Sequence, residues 1–279
     1  MGPRSLPLEG VSVVVTRAHG QSEPLSAALS DRGASVVALP VIAIADPVDG
    51  GEAMREAVAG ALAGRYDWVV FSSGNAVERF VDVLGGARDL GRTKIAAVGD
   101  ATAAALAARG LATDVVPSTA SAEALASAIP DAPRRAATPA SAAAGTPSTT
   151  AGTGEGRVLF PRAAGAREVL VSRLRDKGWD VDDVEAYRTV AAGAADGATE
   201  DALSASVRAD VVTFTSPSTV RFYMQLVSGR GMPPVVACIG PVTARAASRA
   251  GLRVDVVAGE QSADGLVRAL MEHLERHRP

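Results

Sequence analysis

The sequence predicts an α/β protein in which one doubly wound, parallel-sheet unit occurs twice. Two observations carry that expectation. Short apolar runs of strand length alternate along the chain with amphipathic helical stretches, the pattern of βαβ units. The stretch opening at Asp67, Asp-Trp-Val-Val-Phe-Ser-Ser-Gly-Asn-Ala-Val, also returns 143 residues later at Asp210 as Asp-Val-Val-Thr-Phe-Thr-Ser-Pro-Ser-Thr-Val.

The elements follow in order. Val11–Thr16 reads as a strand ending at Arg17. The Leu25, Ala28 and Leu29 stripe predicts a helix over Ser22–Arg32, stopped by Gly33. Val36–Leu39 is a strand closed by Pro40. Val41–Gly51, with Pro47 and Gly50, reads as a connection. Glu52–Ala63 is a helix, Trp68–Phe71 a strand and Ala76–Leu84 a helix. Ile95–Val98, helix Ala101–Arg109, the short strand Val115-Val116 and the Ser121-capped helix Ala122–Ile129 complete the first half.

Asp131–Gly156 is then mostly Ala, Thr, Ser, Pro and Gly without apolar periodicity, and reads as a flexible insertion in which Arg134 and Arg135 are solubilising. After it the pattern restarts. Val158–Arg162 repeats Val13–Arg17, and Leu170, Leu174 and Gly178 repeat Leu25, Leu29 and Gly33, all 145 residues on. Val181–Val184 and Val211–Phe214 read as strands, and Val220, Tyr223, Met224 and Val227 form a helical stripe. Ile239-Gly240 and Thr243 repeat Val98-Gly99 and Thr102, Gly251 repeats Gly110, and Ser262 opens a copy of the Ser121 turn. Such drift-tolerant self-similarity marks a duplication.

In a doubly wound sheet, ligands bind beyond the carboxyl ends of the strands. Arg17, Ser72, Ser73, Gly74, Asn75, Gly99, Thr102, Ser121 and Ala122 fall there in one half. Arg162, Thr215, Ser216, Pro217, Ser218, Gly240, Thr243 and Ser262 fall there in the other. Hydroxyls and backbone N–H groups at helix starts suit carboxylates or phosphates. Each hydroxyl taken singly is equally a plain helix cap. The set, repeated, points to an anionic ligand.

Composition narrows the classes. A net charge of −3 and an aromatic content of 4% argue against a nucleic-acid surface. No apolar run reaches membrane-spanning length and no stretch resembles a signal peptide, so a cytoplasmic protein is expected. Cys238 is the single cysteine, which rules out an intrachain disulfide; in an apolar run it reads as a buried, inert thiol. His273 and His277 sit four apart in a charged tail and read as a solvated face, so no metal site is expected. No nucleophile elbow, Walker loop or dinucleotide-binding glycine pattern occurs. Tyr187, after the strand Val181–Val184, has Ile42 as its repeat counterpart. It is either a general acid or an amphipathic tyrosine at a connection.

These residues together resemble the uroporphyrinogen-III synthase family. The resemblance rests on Val15-Thr16-Arg17, Phe71-Ser72-Ser73-x-Asn75-Ala76-Val77, Ala97-Val98-Gly99-x-x-Thr102 and Ala122-Glu123-x-Leu125. It continues through Arg167–Leu170, Tyr187-x-Thr189, Phe214-Thr215-Ser216-Pro217 and Ile239-Gly240-x-x-Thr243. It implies two duplicated, flavodoxin-like domains joined by a two-stranded connection near Val41–Ile44 and Ala186–Val190. The first would be residues 1–42 with 191–279, the second 43–190 carrying the insertion at 131–156, with a cleft that opens and closes. It implies cyclisation of hydroxymethylbilane with inversion of the last ring, through an azafulvene and a spiro intermediate, without metal or organic cofactor. It further implies Tyr187 as the proposed acid and the turns named above as donors to eight carboxylates. A monomer is expected, in passing contact with the upstream hydroxymethylbilane synthase. Two departures stand out: Ser72 occupies a place where the family more often has Thr, and the 131–156 stretch is longer than the family needs. The competing readings are a cytoplasmic two-lobed regulator, which would bind a ligand without turnover, and a nucleotide-dependent enzyme, which lacks the phosphate-loop glycines.

Overall fold

The computed structural model describes residues 6–85, 90–133, 156–166 and 168–277. Most of the Ala/Thr/Ser/Pro-rich stretch, Arg134 and Arg135 among it, and Arg167 lie outside them. In chain order the elements are β1 (Ser12–Val15), α1 (Glu23–Ser30), β2 (Ser35–Ala38), β3 (Ile42–Ala45), α2 (Glu52–Leu62), β4 (Trp68–Phe71), α3 (Gly74–Leu84), β5 (Lys94–Ala97), α4 (Asp100–Ala108) and α5 (Ala122–Ala128). They continue with β6 (Arg157–Ala163), α6 (Val169–Asp176), β7 (Asp180–Ala191), α7 (Glu200–Ser206), β8 (Val211–Phe214), α8 (Pro217–Leu226), β9 (Val235–Cys238), α9 (Pro241–Arg249), β10 (Val256–Val257) and α10 (Ala263–Arg276).

The chain forms two compact units, residues 1–44 with 189–279, and residues 45–188. The sheet of the first runs β10-β9-β8-β1-β2, and every pair in it is parallel. Its strands are mainly apolar, Ser12, Ser35 and Thr213 apart, because helices cover both faces. Along β1, Val13 and Val15 point to a layer with Leu25 and Leu29 of α1 and Leu266, Val267 and Leu270 of α10. Val14 points the other way, to Leu203 of α7, Val220 and Tyr223 of α8 and Ala247 of α9. The period-two alternation of side chains thus feeds two cores from one strand.

The second sheet runs β3-β7-β6-β4-β5, and β6 pairs parallel with both β4 and β7. A further parallel bridge joins Ala96 to Val115. About β6, strands β7, β4 and β5 take the places that β2, β8 and β9 take about β1, while β3 is an additional edge strand. Trp68, Val70, Val158 and Phe160 face Leu125 of α5 and Leu170 and Leu174 of α6. On the other side α2 and α3 pack against β6, and α4 against β5.

Details of packing are duplicated too. Phe71 meets Phe80 edge to face with centroids 5.2 Å apart, and Phe214 meets Tyr223 the same way at 5.4 Å. Carboxylates clip strand starts at equivalent places. Asp67 Oδ2 accepts the amides of Gly156 (2.7 Å) and Arg157 (3.0 Å). Asp210 Oδ2 accepts the Ser12 amide at 2.8 Å and the Ser12 hydroxyl at 2.6 Å. Asp114 accepts from Ile95 N (2.8 Å), and Asp255 accepts from Val236 N (2.9 Å).

Three local expectations are corrected. Val41–Gly51 is not all connection: Ile42–Ala45, with two β-branched isoleucines, is strand β3, next to β7 in the sheet. The expected strand Val181–Val184 and the extended crossing after it are one strand of 12 residues, β7. Val115-Val116 is reduced to a single bridge.

Candidate functional site

Tyr187 lies at the centre of the candidate site, and the pairing of β6 with β7 puts it there. The two strands pair in strict register from Arg157↔Asp180 to Arg162↔Glu185, and then Ala163 pairs with Tyr187, skipping Ala186. That one-residue bulge decides where the phenol goes. Paired residues point to the same face, and an extra residue in one strand exchanges the faces of everything after it. Val158 and Phe160 face α5 and α6, so Leu159, Pro161 and Ala163 face α3, and the bulge brings Tyr187 rather than Ala186 beside Ala163 on that face. The Tyr187 ring is buried, 7% exposed. Its hydroxyl lies 3.1 Å from Ser73 Oγ.

Ser73 stands just beyond β4. Its backbone is extended and its hydroxyl accepts the Ala76 amide at 3.3 Å, capping α3. Ser72 beside it is exposed, and Gly74 and Asn75 are half-buried. The neighbouring turns of this unit have the same build. Gly99 opens α4 with extended backbone, and a side chain there would meet the Ala120 methyl at 2.8 Å, so space dictates the glycine. Thr102, in the first turn of α4, is buried. Ser121 caps α5 by accepting from Ala124 N at 3.1 Å, with Ala122 the first helical residue.

Arg162 is committed to its own unit. Its guanidinium donates to Ala166 O (2.7 Å) and pairs with Asp183 and with Glu168 (3.6 Å), leaving the side chain 12% exposed.

The other unit repeats the turns with different fillings. Thr215 and Ser218 are half-buried and Pro217 opens α8. Ser216 caps that helix in a reciprocal box: its hydroxyl accepts Thr219 N, and Thr219 Oγ1 accepts Ser216 N, both at 3.2 Å. Gly240 opens α9 and Thr243 is buried. Ser262 accepts Gly265 N at 3.0 Å and donates to Glu260 at 2.8 Å. Arg17 follows β1, is half-buried, and forms no ion pair among the described residues. Burial lowers its guanidinium below the ordinary arginine range, yet an arginine stays charged at neutral pH.

Two further expectations can be placed. Cys238 is buried, and its thiol is pushed up to about 11 by that burial. His273, half-buried near the end of α10, and His277, exposed just past it, stack at 4.3 Å; burial, then the neighbouring His277, lowers His273. Among the described residues no group of three or more His, Cys, Asp or Glu is placed to hold a metal ion, and no helix is long and apolar enough to cross a membrane.

Sequence reasoning missed the partner of Tyr187 and the bulge that delivers it. It also took Asp67 and Asp210 only as the first letters of a repeat. Their recurrence at strand starts was the available signal for the backbone clips.

The family model described as uroporphyrinogen-III synthase HemD matches residues 23–268. The chain belongs to the uroporphyrinogen-III synthase family. It is 33% identical over 278 residues to the uroporphyrinogen-III synthase of Synechococcus elongatus, across 95% of this chain and 96% of that one. It is 28% identical over 273 residues to the chloroplastic uroporphyrinogen-III synthase of Oryza sativa subsp. japonica, across 95% and 81%. In fold it resembles a mutant uroporphyrinogen III synthase from the extremely thermophilic bacterium Thermus thermophilus, with a TM-score of 0.59 at 18% identity over 96% of this chain and 100% of that one. Family membership makes the chain an enzyme of tetrapyrrole biosynthesis, a cyclising lyase of the uroporphyrinogen-III synthase type.

Proposed function

We propose that this enzyme closes hydroxymethylbilane to uroporphyrinogen III and water, with Tyr187 as general acid and the carboxyl-end turns as carboxylate receptors. One observation supports the catalytic part most directly: a buried tyrosine is carried by a bulge to the cap of a helix, in the unit whose repeat has Ile42 instead. The phenol would protonate the departing hydroxyl, so that the C–O bond breaks and water leaves. The proton shed at reclosure would restore the phenol. Positioning does the larger share, because the open substrate also closes unaided, to the type I isomer. Arg17, a half-buried cation with no ion-pair partner among the described residues, is the strongest candidate to receive a substrate carboxylate. Backbone N–H groups at the starts of α3, α4, α8 and α9 are the others. The reading extends to a cytoplasmic monomer that meets hydroxymethylbilane synthase only in passing.

The isomer ratio tests it. Hydroxymethylbilane is generated in situ, the purified enzyme added, and the oxidised products separated. Mostly type III is expected. Type I alone, from folded protein, would overturn the reading.

A further inference from the structure

We propose that Ser73 is a positioning residue for Tyr187: its hydroxyl donates to the phenol oxygen as that oxygen gives up its proton, holding the developing phenolate at the positive end of α3. The inference rests on Tyr187 being the acid.

A serine hydroxyl has one hydrogen to give and two lone pairs. The Ala76 amide occupies one lone pair at 3.3 Å, and the Tyr187 oxygen lies 3.1 Å from the same Ser73 oxygen. With a neutral phenol either oxygen can donate. Once the phenol proton has passed to the leaving hydroxyl, the tyrosine oxygen can only accept, and Ser73 holds the hydrogen that meets it. The capping bond fixes Ser73 Oγ at a helix N-terminus, where negative charge is favoured.

The other unit supplies the contrast. Ser216 holds the equivalent cap, but the third helical residue there is Thr219, whose hydroxyl closes a box onto Ser216. In α3 that third residue is Ala76, which has no hydroxyl to close the turn, and the bond from outside the turn comes from Tyr187. Charged groups on the elements around Tyr187 are matched among themselves: Glu185 with Arg188 at 3.3 Å, Arg162 with Asp183 and Glu168, and Arg79 with Asp46 at 2.7 Å.

Three variants test the role. Ser73→Gly removes the hydroxyl and keeps a residue that caps almost as well; Ser73→Ala removes both; Ser73→Thr keeps the hydroxyl. Ser73→Gly is expected to lower kcat about 10- to 100-fold, the worth of a hydrogen bond to a charged group. Ser73→Thr is expected to recover most of that loss. In the Tyr187→Phe background Ser73→Gly should change the rate less than about twofold, because the two act as a unit. Equal rate losses in both backgrounds would overturn the proposal. Full activity of Tyr187→Phe would instead remove the acid reading beneath it, while slow Tyr187→Phe beside fast Ser73→Gly removes Ser73 alone.

Discussion

Arg17, two residues past β1, and Arg162, within the last residues of β6, hold equivalent positions in the repeat, and of the two only Arg162 is neutralised among the described residues. Asp183 and Glu168 close on it from β7 and from the start of α6. Arg17 is half-buried with no ion pair among the described residues. The two cations should therefore fail differently. Arg17→Gln is expected to raise KM about tenfold with a smaller change in kcat, by loss of a charge-assisted contact to substrate. Arg162→Gln is expected to destabilise the protein by about 1–3 kcal/mol, because Asp183 loses its partner while partly buried. Steady-state kinetics and urea unfolding of both variants separate the outcomes. A KM effect from Arg162→Gln alone would reverse the assignment.

Tyr187→Phe keeps the ring and removes the proton. Turnover is expected to fall about 100-fold, at the low end of general acid catalysis, without reaching zero, and the residual product should still be mainly type III. That result would separate holding the substrate from protonating it. An unchanged kcat would take Tyr187 out of the chemistry.

Tyr66 sets an alkaline limit on stability. It donates to Asp182 Oδ2 at 2.7 Å, and burial, helped by that bond, pushes its phenol from the ordinary 10.0 up to about 12. The folded state thus prefers the protonated phenol. Its contribution is complete below pH 10 and is lost as pH rises through about 12. Cys238, pushed up to about 11 from 9.0, gives an earlier fall between those values. Melting temperatures measured from about pH 8 to pH 12 should drop more steeply above pH 10 in the wild type than in Tyr66→Phe. Parallel curves would mean that neither burial nor the Asp182 bond raises the Tyr66 phenol in solution.

The aspartate clips give a stability prediction for each unit. Asp67→Ala frees the Gly156 and Arg157 amides, and Asp210→Ala frees the Ser12 amide and hydroxyl. Each is expected to cost about 1–3 kcal/mol, read as a lower urea midpoint at unchanged slope. A loss below about 0.5 kcal/mol would show that water replaces the carboxylate freely.

Much of this fold was legible because its signals are local. Trp68–Phe71 and Val211–Phe214 are apolar on both faces, as buried parallel strands must be, and the Ser73 and Ser216 turns announce the helices that follow. What stayed hidden depends on contacts between distant elements. Arg17 and Arg162 look alike in sequence, since the difference lies in residues supplied by β7 and α6. The matching caps at Ser73 and Ser216 diverge at Ala76 against Thr219, a difference visible in the letters but meaningless without the cap geometry. The bulge at Ala186 leaves no mark on the apolar pattern, because Ala186 and Tyr187 both read as acceptable strand residues.

The same bulge makes spacing carry information that residue identity does not. The phenol reaches α3 because it stands six positions after Val181, with one partner skipped on the way. Closing the bulge without removing a residue would preserve the tyrosine as a letter and send it to the opposite side of the sheet. The address of the proposed acid is thus written in a skipped pairing as much as in a residue type. A homologue that keeps the tyrosine and its spacing but pairs every residue has inherited the name of the acid without its place.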